Sequence, residues 1–193
     1  MIDFLQAITA ALALSSHRSD LELHQAAVDT FLKNNRNKIT LASSYSRYLI
    51  SIEHSKRVEH IVEIQRFRYR SDSLAATHSL SSDILIPFGS YTIRFVLFIL
   101  RLYYKQDQNI RDLCCSYGIS PSTLYDWKRL FEAHTSSYLT ILKLSGRACN
   151  DRISMIRSIP EFPHRFYVLF SLPFLRSRYR CFESLSPSLI SGP

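Results

Sequence analysis

The run NIRDLCCSYGISPSTLYDWKRLF, residues 109–131, constrains the fold most, because one glycine divides two stretches of helical periodicity and a Ser-Pro step restarts the second. A short first helix that is crossed by a second needs inward apolar residues and one small residue at the crossing. Ile110, Leu113 and Cys114 supply them. The turn needs a residue that tolerates positive φ, which Gly118 does, with Ile119 as an apolar plug behind it. Ser120 can cap the free N–H groups of the next helix, and Pro121 takes its first position, where a missing donor costs nothing. Leu124, Trp127 and Phe131 then fall on one face, with Trp127 as a core anchor and not a stacking platform. The spacing predicts a helix-turn-helix docked on a preceding apolar helix over about residues 91–105.

Such a unit leaves short polar side chains at the start of its second helix, which suits entry into a major groove. Ser122, Tyr125, Asp126 and Arg129 are the candidates for base edges within residues 120–128 and just beyond. Arg111 and Lys128 are placed to hold phosphates, while Ser120, Ser122 and Thr123 present hydroxyls and N–H groups to backbone oxygens. The formal charge of +8 and pI near 9.5 agree with a polyanionic partner. Residues 1–40 carry as many acids as bases, so the excess lies downstream. The expected partner is double-stranded DNA, the expected mechanism is binding without catalysis, and no cofactor is called for.

Rival classes fare worse. The apolar run at residues 95–100 is flanked by Arg94 and Arg101 and is far shorter than the roughly 20 residues a bilayer core requires. The N-terminus has Asp3 where a secretory signal needs a basic start, so the expected compartment is the cytoplasm, with no membrane partner. Cys114, Cys115, Cys149 and Cys181 contain no C-x-x-C pair, and no histidine sits in a HExxH pattern, so no metal site is expected. A two-metal nuclease needs converging carboxylates from an α/β fold. The acids after Phe131 (Glu132, Asp151, Glu161 and Glu183) show no suggestive spacing. No GxSxG elbow is present either.

Four sections follow from composition and periodicity. Residues 1–37 read as helices split at Ser15-Ser16 and capped again near Ser19 or Asp20. Residues 38–87 hold two or three antiparallel strands turning near residues 53–56, then a Ser-, Ala- and Asp-rich loop over residues 71–87. Residues 88–145 form the helix-turn-helix, and residues 146–193 a helical, basic segment. In that last section Arg165, Arg176, Arg178 and Arg180 interleave with aromatic residues, as a solvated helix face or a second phosphate contact. The fold class expected is mainly α, a three-helix core with a small antiparallel β unit. Whether the first section makes a homodimer or merely covers the protein stays open.

The elements SYSRY at residues 44–48, IQRFR at 64–68, Thr77-His78, IPFGSY at 86–91 and the run above resemble an uncharacterised bacterial, transposase-related domain family. The likeness covers residues 43–141. It implies a small zinc-ribbon-like unit ahead of a helix-turn-helix. Members carry one C-x-x-C before the SYSRY element and another after the IQRFR strand. Here Tyr69 and Asp72 stand at the second pair, and no cysteine precedes residue 114. Tyrosine does not replace a thiolate at tetrahedral zinc, and one carboxylate with His78 makes a poor site. The β unit is therefore expected to be a metal-free remnant packed by Tyr48, Ile50, Ile61, Ile64 and Phe67. An assembly module binding other proteins, or a decayed fragment of a mobile element, are the alternative readings.

Overall fold

The computed structural model describes residues 19–70, 77–80, 85–86, 89–106, 108–144 and 174–175. Ser19 starts the first of these with a complete capping box. Its hydroxyl accepts from the Glu22 N–H at 3.1 Å, and the Glu22 carboxylate accepts from the Ser19 N–H at 2.9 Å. Helix α1, Asp20–Asn35, follows, and Lys33 in its last turn suits the negative end of the helix dipole. The helix expected before Ser15 lies outside the described residues, as do Asp72 and the arginines of the basic C-terminal segment.

Strands β1, Ile39–Glu53, and β2, Lys56–Tyr69, form one long antiparallel hairpin. The turn falls where the sequence places it. His54 and Ser55 both take positive φ, 49° and 63°, as a two-residue loop matched to strand twist demands. A short third strand, β3, His78–Ser79, pairs with the other edge of β2, so the segment read as a loop contributes to a three-stranded sheet of order β1-β2-β3. Four helices and this sheet make the described architecture, with strands taking a larger share than a mainly α chain implies.

Helix α2, Ile93–Lys105, is capped by Thr92, whose hydroxyl accepts from the Phe95 N–H at 3.1 Å. Apolar on nearly every side, it sits inside: Ile93, Phe95, Val96, Leu97, Ile99, Leu100 and Tyr104 are all buried. Helix α3, Ile110–Tyr117, and helix α4, Pro121–Leu144, pack on it through Leu113, Cys114, Leu124, Trp127 and Phe131. Phe174 and Leu175 close the same cluster.

Sheet and helices join through backbone. The Ile50 N–H donates to the Ser90 carbonyl, and the Thr92 N–H donates to Ile50 at 3.0 Å, so residues 90–92 run parallel beside β1 before entering α2. The strand packing differs from the sequence reading at two positions. Ile50, Ile64 and Phe67 are buried as expected, but Tyr48 is 49% and Ile61 73% exposed. These two are cross-strand partners on the face turned away from Leu49, Val62, Ile64 and Leu85. A register shift between Leu41 and Ser44 separates that cluster from a second one, in which Val28 of α1 meets Ile39, Phe67 and Leu80.

Candidate nucleic-acid interface

The turn between α3 and α4 is built as its residue types require. Asn109 caps α3, accepting from the Asp112 N–H at 2.8 Å. Gly118 ends it at φ 59°, ψ 43°, with its N–H aimed at the carbonyls of Cys114 and Cys115. Ile119 is buried beneath the turn, and its N–H donates to Cys114 at 3.0 Å. Cys114 is a packing residue whose thiol is held above its ordinary pKa by burial and then by neighbouring Cys115, which is itself exposed. A thiol so placed resists ionisation to the thiolate, the nucleophilic form.

Ser120 then caps α4, its Oγ accepting from the Thr123 N–H at 3.1 Å. The same oxygen lies 2.8 Å from both the Ser122 and the Thr123 hydroxyl, so three hydroxyls crowd the positive end of a 24-residue helix. Ser120 and Ser122 are exposed and Thr123 is half-buried. One turn on, Tyr125 is 48% exposed and, with Arg111, Cys115 and Pro121, lines an open groove of about 610 Å³ between the two helices. Arg111 and Tyr125 are thereby brought together, while Ser120, Ser122 and Thr123 stand at the start of α4 outside that lining.

The remaining candidates divide. Asp126 and Arg129 are exposed but pair with each other at 2.9 Å, 62% and 73% open to solvent. A pair this exposed contributes little stability and can re-form with a competing anion. Lys128 is half-buried and donates to Glu132 at 3.1 Å, and Glu132 also accepts from the Tyr104 hydroxyl at 2.8 Å. It is therefore tied back toward α2 through Glu132. Trp127 is 7% exposed and set edge-on to Tyr91 at 4.9 Å, which makes it a core residue.

One contributor was not visible in the motif. Arg57, on β2 just past the hairpin turn, donates through Nη1 to the carbonyls of Tyr117 at 2.9 Å and Gly118 at 3.0 Å. Tyr117 returns the contact, its hydroxyl donating to the Ser55 carbonyl at 3.3 Å. A Cβ at Gly118 would lie 2.0 Å from Arg57 Nη1, so the glycine serves both the left-handed turn and this approach. Glu59 holds Arg57 from the other side and accepts from the Tyr48 hydroxyl, and that hydrogen bond first, then Arg57, keeps its carboxyl below the usual range. No local periodicity signals a contact between residues sixty positions apart. Charge offers only the weak hint that an arginine next to a hairpin turn has some anion or carbonyl to meet.

Other arginines are also used internally. Arg94 pairs at 3.0 Å with Asp20, a buried carboxylate that desolvation pushes up while Thr92 and Arg94 pull it down. Arg47 donates to the carbonyls of Ile86 and Gly89, and Arg70 to Ile39. The basic excess is thus partly spent on joining segments. Among the described residues no three His, Cys, Asp or Glu side chains converge as a metal site. No described helix is long and apolar enough to cross a membrane.

Comparison with known proteins agrees with this geometry at one place. The helix-turn-helix family model described as Transposase matches residues 89–144, which are α2, α3 and α4 with the entry to α2. No curated protein and no solved structure matches the chain significantly. The likeness to a transposase helix-turn-helix is thus confined to these three helices, less than a third of the chain.

Proposed function

We propose that the chain binds double-stranded DNA in the cytoplasm through α3 and α4 and performs no chemistry of its own. The observation that carries this is the coincidence of the transposase helix-turn-helix match with an exposed, hydroxyl-lined start of α4 beside Arg111 and Tyr125. In this reading Ser120, Ser122 and Thr123, with the helix N-terminus, grip phosphate oxygens, as Arg111 does and as Lys128 does on leaving Glu132. Tyr125, Asp126 and Arg129 face base edges, the last two after exchanging their mutual pair for contacts in the groove. The test is binding to mixed-sequence duplex across a salt series, for the native chain and for Arg111→Ala, Lys128→Ala and Arg129→Ala. Loss of the Arg111 or the Lys128 phosphate contact lowers the salt slope by about one unit each, whereas Arg129→Ala, which removes a base-edge contact, weakens binding with a smaller change of slope. Absence of binding to any duplex at low salt overturns the reading.

The β unit, in the same proposal, is a metal-free relative of a zinc ribbon. Where the resembling family carries its second cysteine pair, this chain packs rings: Phe67 lies 5.3 Å from Tyr69 and 5.5 Å from His78, and Phe31 of α1 lies 5.1 Å from Phe67. Ring packing around the buried Phe67 supplies cohesion that a metal would otherwise give. Stoichiometric zinc in the purified protein contradicts it.

A further inference from the structure

We infer that the tip of the β1–β2 hairpin is a second DNA-backbone contact, with Lys56 as its phosphate-binding residue and Arg57 as the residue that positions it. The inference rests on the proposal that α4 enters a groove of duplex DNA. Two contacts fix the tip against the helix-turn-helix: Arg57 on the Tyr117 and Gly118 carbonyls, and the Tyr117 hydroxyl on Ser55. Gly118 is two residues before Ser120, at most about 7 Å of chain. The hairpin tip is thereby anchored beside the turn that delivers α4's first residues to their partner. A duplex docked on those residues lies next to His54, Ser55 and Lys56, all three exposed.

Charge at the tip is balanced, Lys56 and Arg57 against Glu53 and Glu59, so the pairing decides what faces solvent. Glu59 takes Arg57 and the Tyr48 hydroxyl, while Glu53, the cross-strand partner of Lys56, lies 3.5 Å from His60. Lys56 is left as the cation facing solvent at the tip. Rigidity matters as much, since a tight loop with both central residues at positive φ holds its flanks in one geometry, and a preorganised cation loses little entropy on meeting a phosphate. A protein partner with an acidic face would use the same lysine but would give no dependence on duplex.

The experiment compares the full native chain with Lys56→Ala and Lys56→Glu by duplex titration across a salt series, together with hydroxyl-radical footprints. Expected are a salt slope lower by about one unit for Lys56→Ala, a larger loss for Lys56→Glu, and disappearance of one protected backbone patch flanking the α4 site. Unchanged slope and footprint in both variants, while Arg111→Ala weakens binding, overturn the inference and leave the helix-turn-helix reading standing. No duplex binding by the native chain overturns both. As a positioning residue, Arg57 is tested by Arg57→Lys: a charge retained without its two-carbonyl fork should keep the slope but blur the flanking footprint, and a fully retained footprint counts against its role.

Discussion

Around α4, Phe131, Leu124 and Phe95 are sealed from solvent in one apolar cluster, whereas around the hairpin the joins are made by Arg47, Arg57, Arg70 and Arg94 reaching carbonyls or a buried carboxylate. The helix-turn-helix is held chiefly by non-directional burial among residues 93–131, with Phe174 and Leu175 added from afar. The hairpin enters that cluster through Ile50 and Ile52, and it and α1 are otherwise fixed by directional polar contacts between distant segments. Burial gives the three-helix unit its stability, and the arginine contacts help set where its neighbours stand.

The contrast predicts different responses to truncation. Phe131→Ala should cost most, about 4 kcal/mol, because it opens a cavity in the cluster that α2, α3 and α4 share, and urea unfolding measures it. A loss below about 1 kcal/mol would mean the cluster does not hold the unit. Arg94→Ala should follow at about 3 kcal/mol, since it strands the Asp20 carboxylate in the interior. The double variant with Asp20→Asn should recover part of that loss, a recovery that a purely apolar role for Arg94 does not allow.

His134 sharpens the comparison through pH. Buried beside Phe174 and accepting the Leu175 N–H on Nδ1 at 3.1 Å, it has its pKa lowered by burial to about 4 from 6.5. A histidine depressed in the folded state takes up its proton first when unfolded. Its contribution is therefore whole above pH 6.5 and is lost progressively as pH falls toward 4. Between pH 7 and 5 the native chain should lose on the order of 2 kcal/mol more than His134→Gln. Equal slopes for the two proteins would place the ring outside the core. Smallest is Gly118→Ala, at about 1 to 2 kcal/mol for the left-handed backbone, with Arg57 pushed from the turn. Combined with Arg57→Ala, its effect should be less than additive, and strict additivity would separate hairpin from turn.

The helix-turn-helix was legible because every requirement is local: a glycine at the left-handed position, Ser-Pro at a helix start, and an apolar stripe three and four residues apart. The hairpin turn at His54-Ser55 was legible from its flanking alternation. Tyr48 and Ile61 were misplaced because they share the face opposite Leu49, Val62 and Ile64, and the alternation does not say that Ile50, two residues on from Tyr48, is covered by residues 90–92 from a distant part of the chain. Of the candidate site, Arg111 and Tyr125 line one groove and the Ser120 cluster stands at the start of α4, yet Lys128 is drawn to Glu132 by a contact that extends to Tyr104 on another helix. Arg57 at the turn was invisible for the same reason, since its partners are set by tertiary fold alone.

Amide-hydrogen exchange of the full chain with and without a mixed-sequence duplex tests the central claim most directly. Binding through the helix-turn-helix predicts slowed exchange concentrated in residues 109–131, strongest at the exposed start of α4, with α1 and the far end of the sheet unchanged. Protection confined to α1 or to the exposed Tyr48 and Ile61 face, with residues 109–131 exchanging as before, would contradict it.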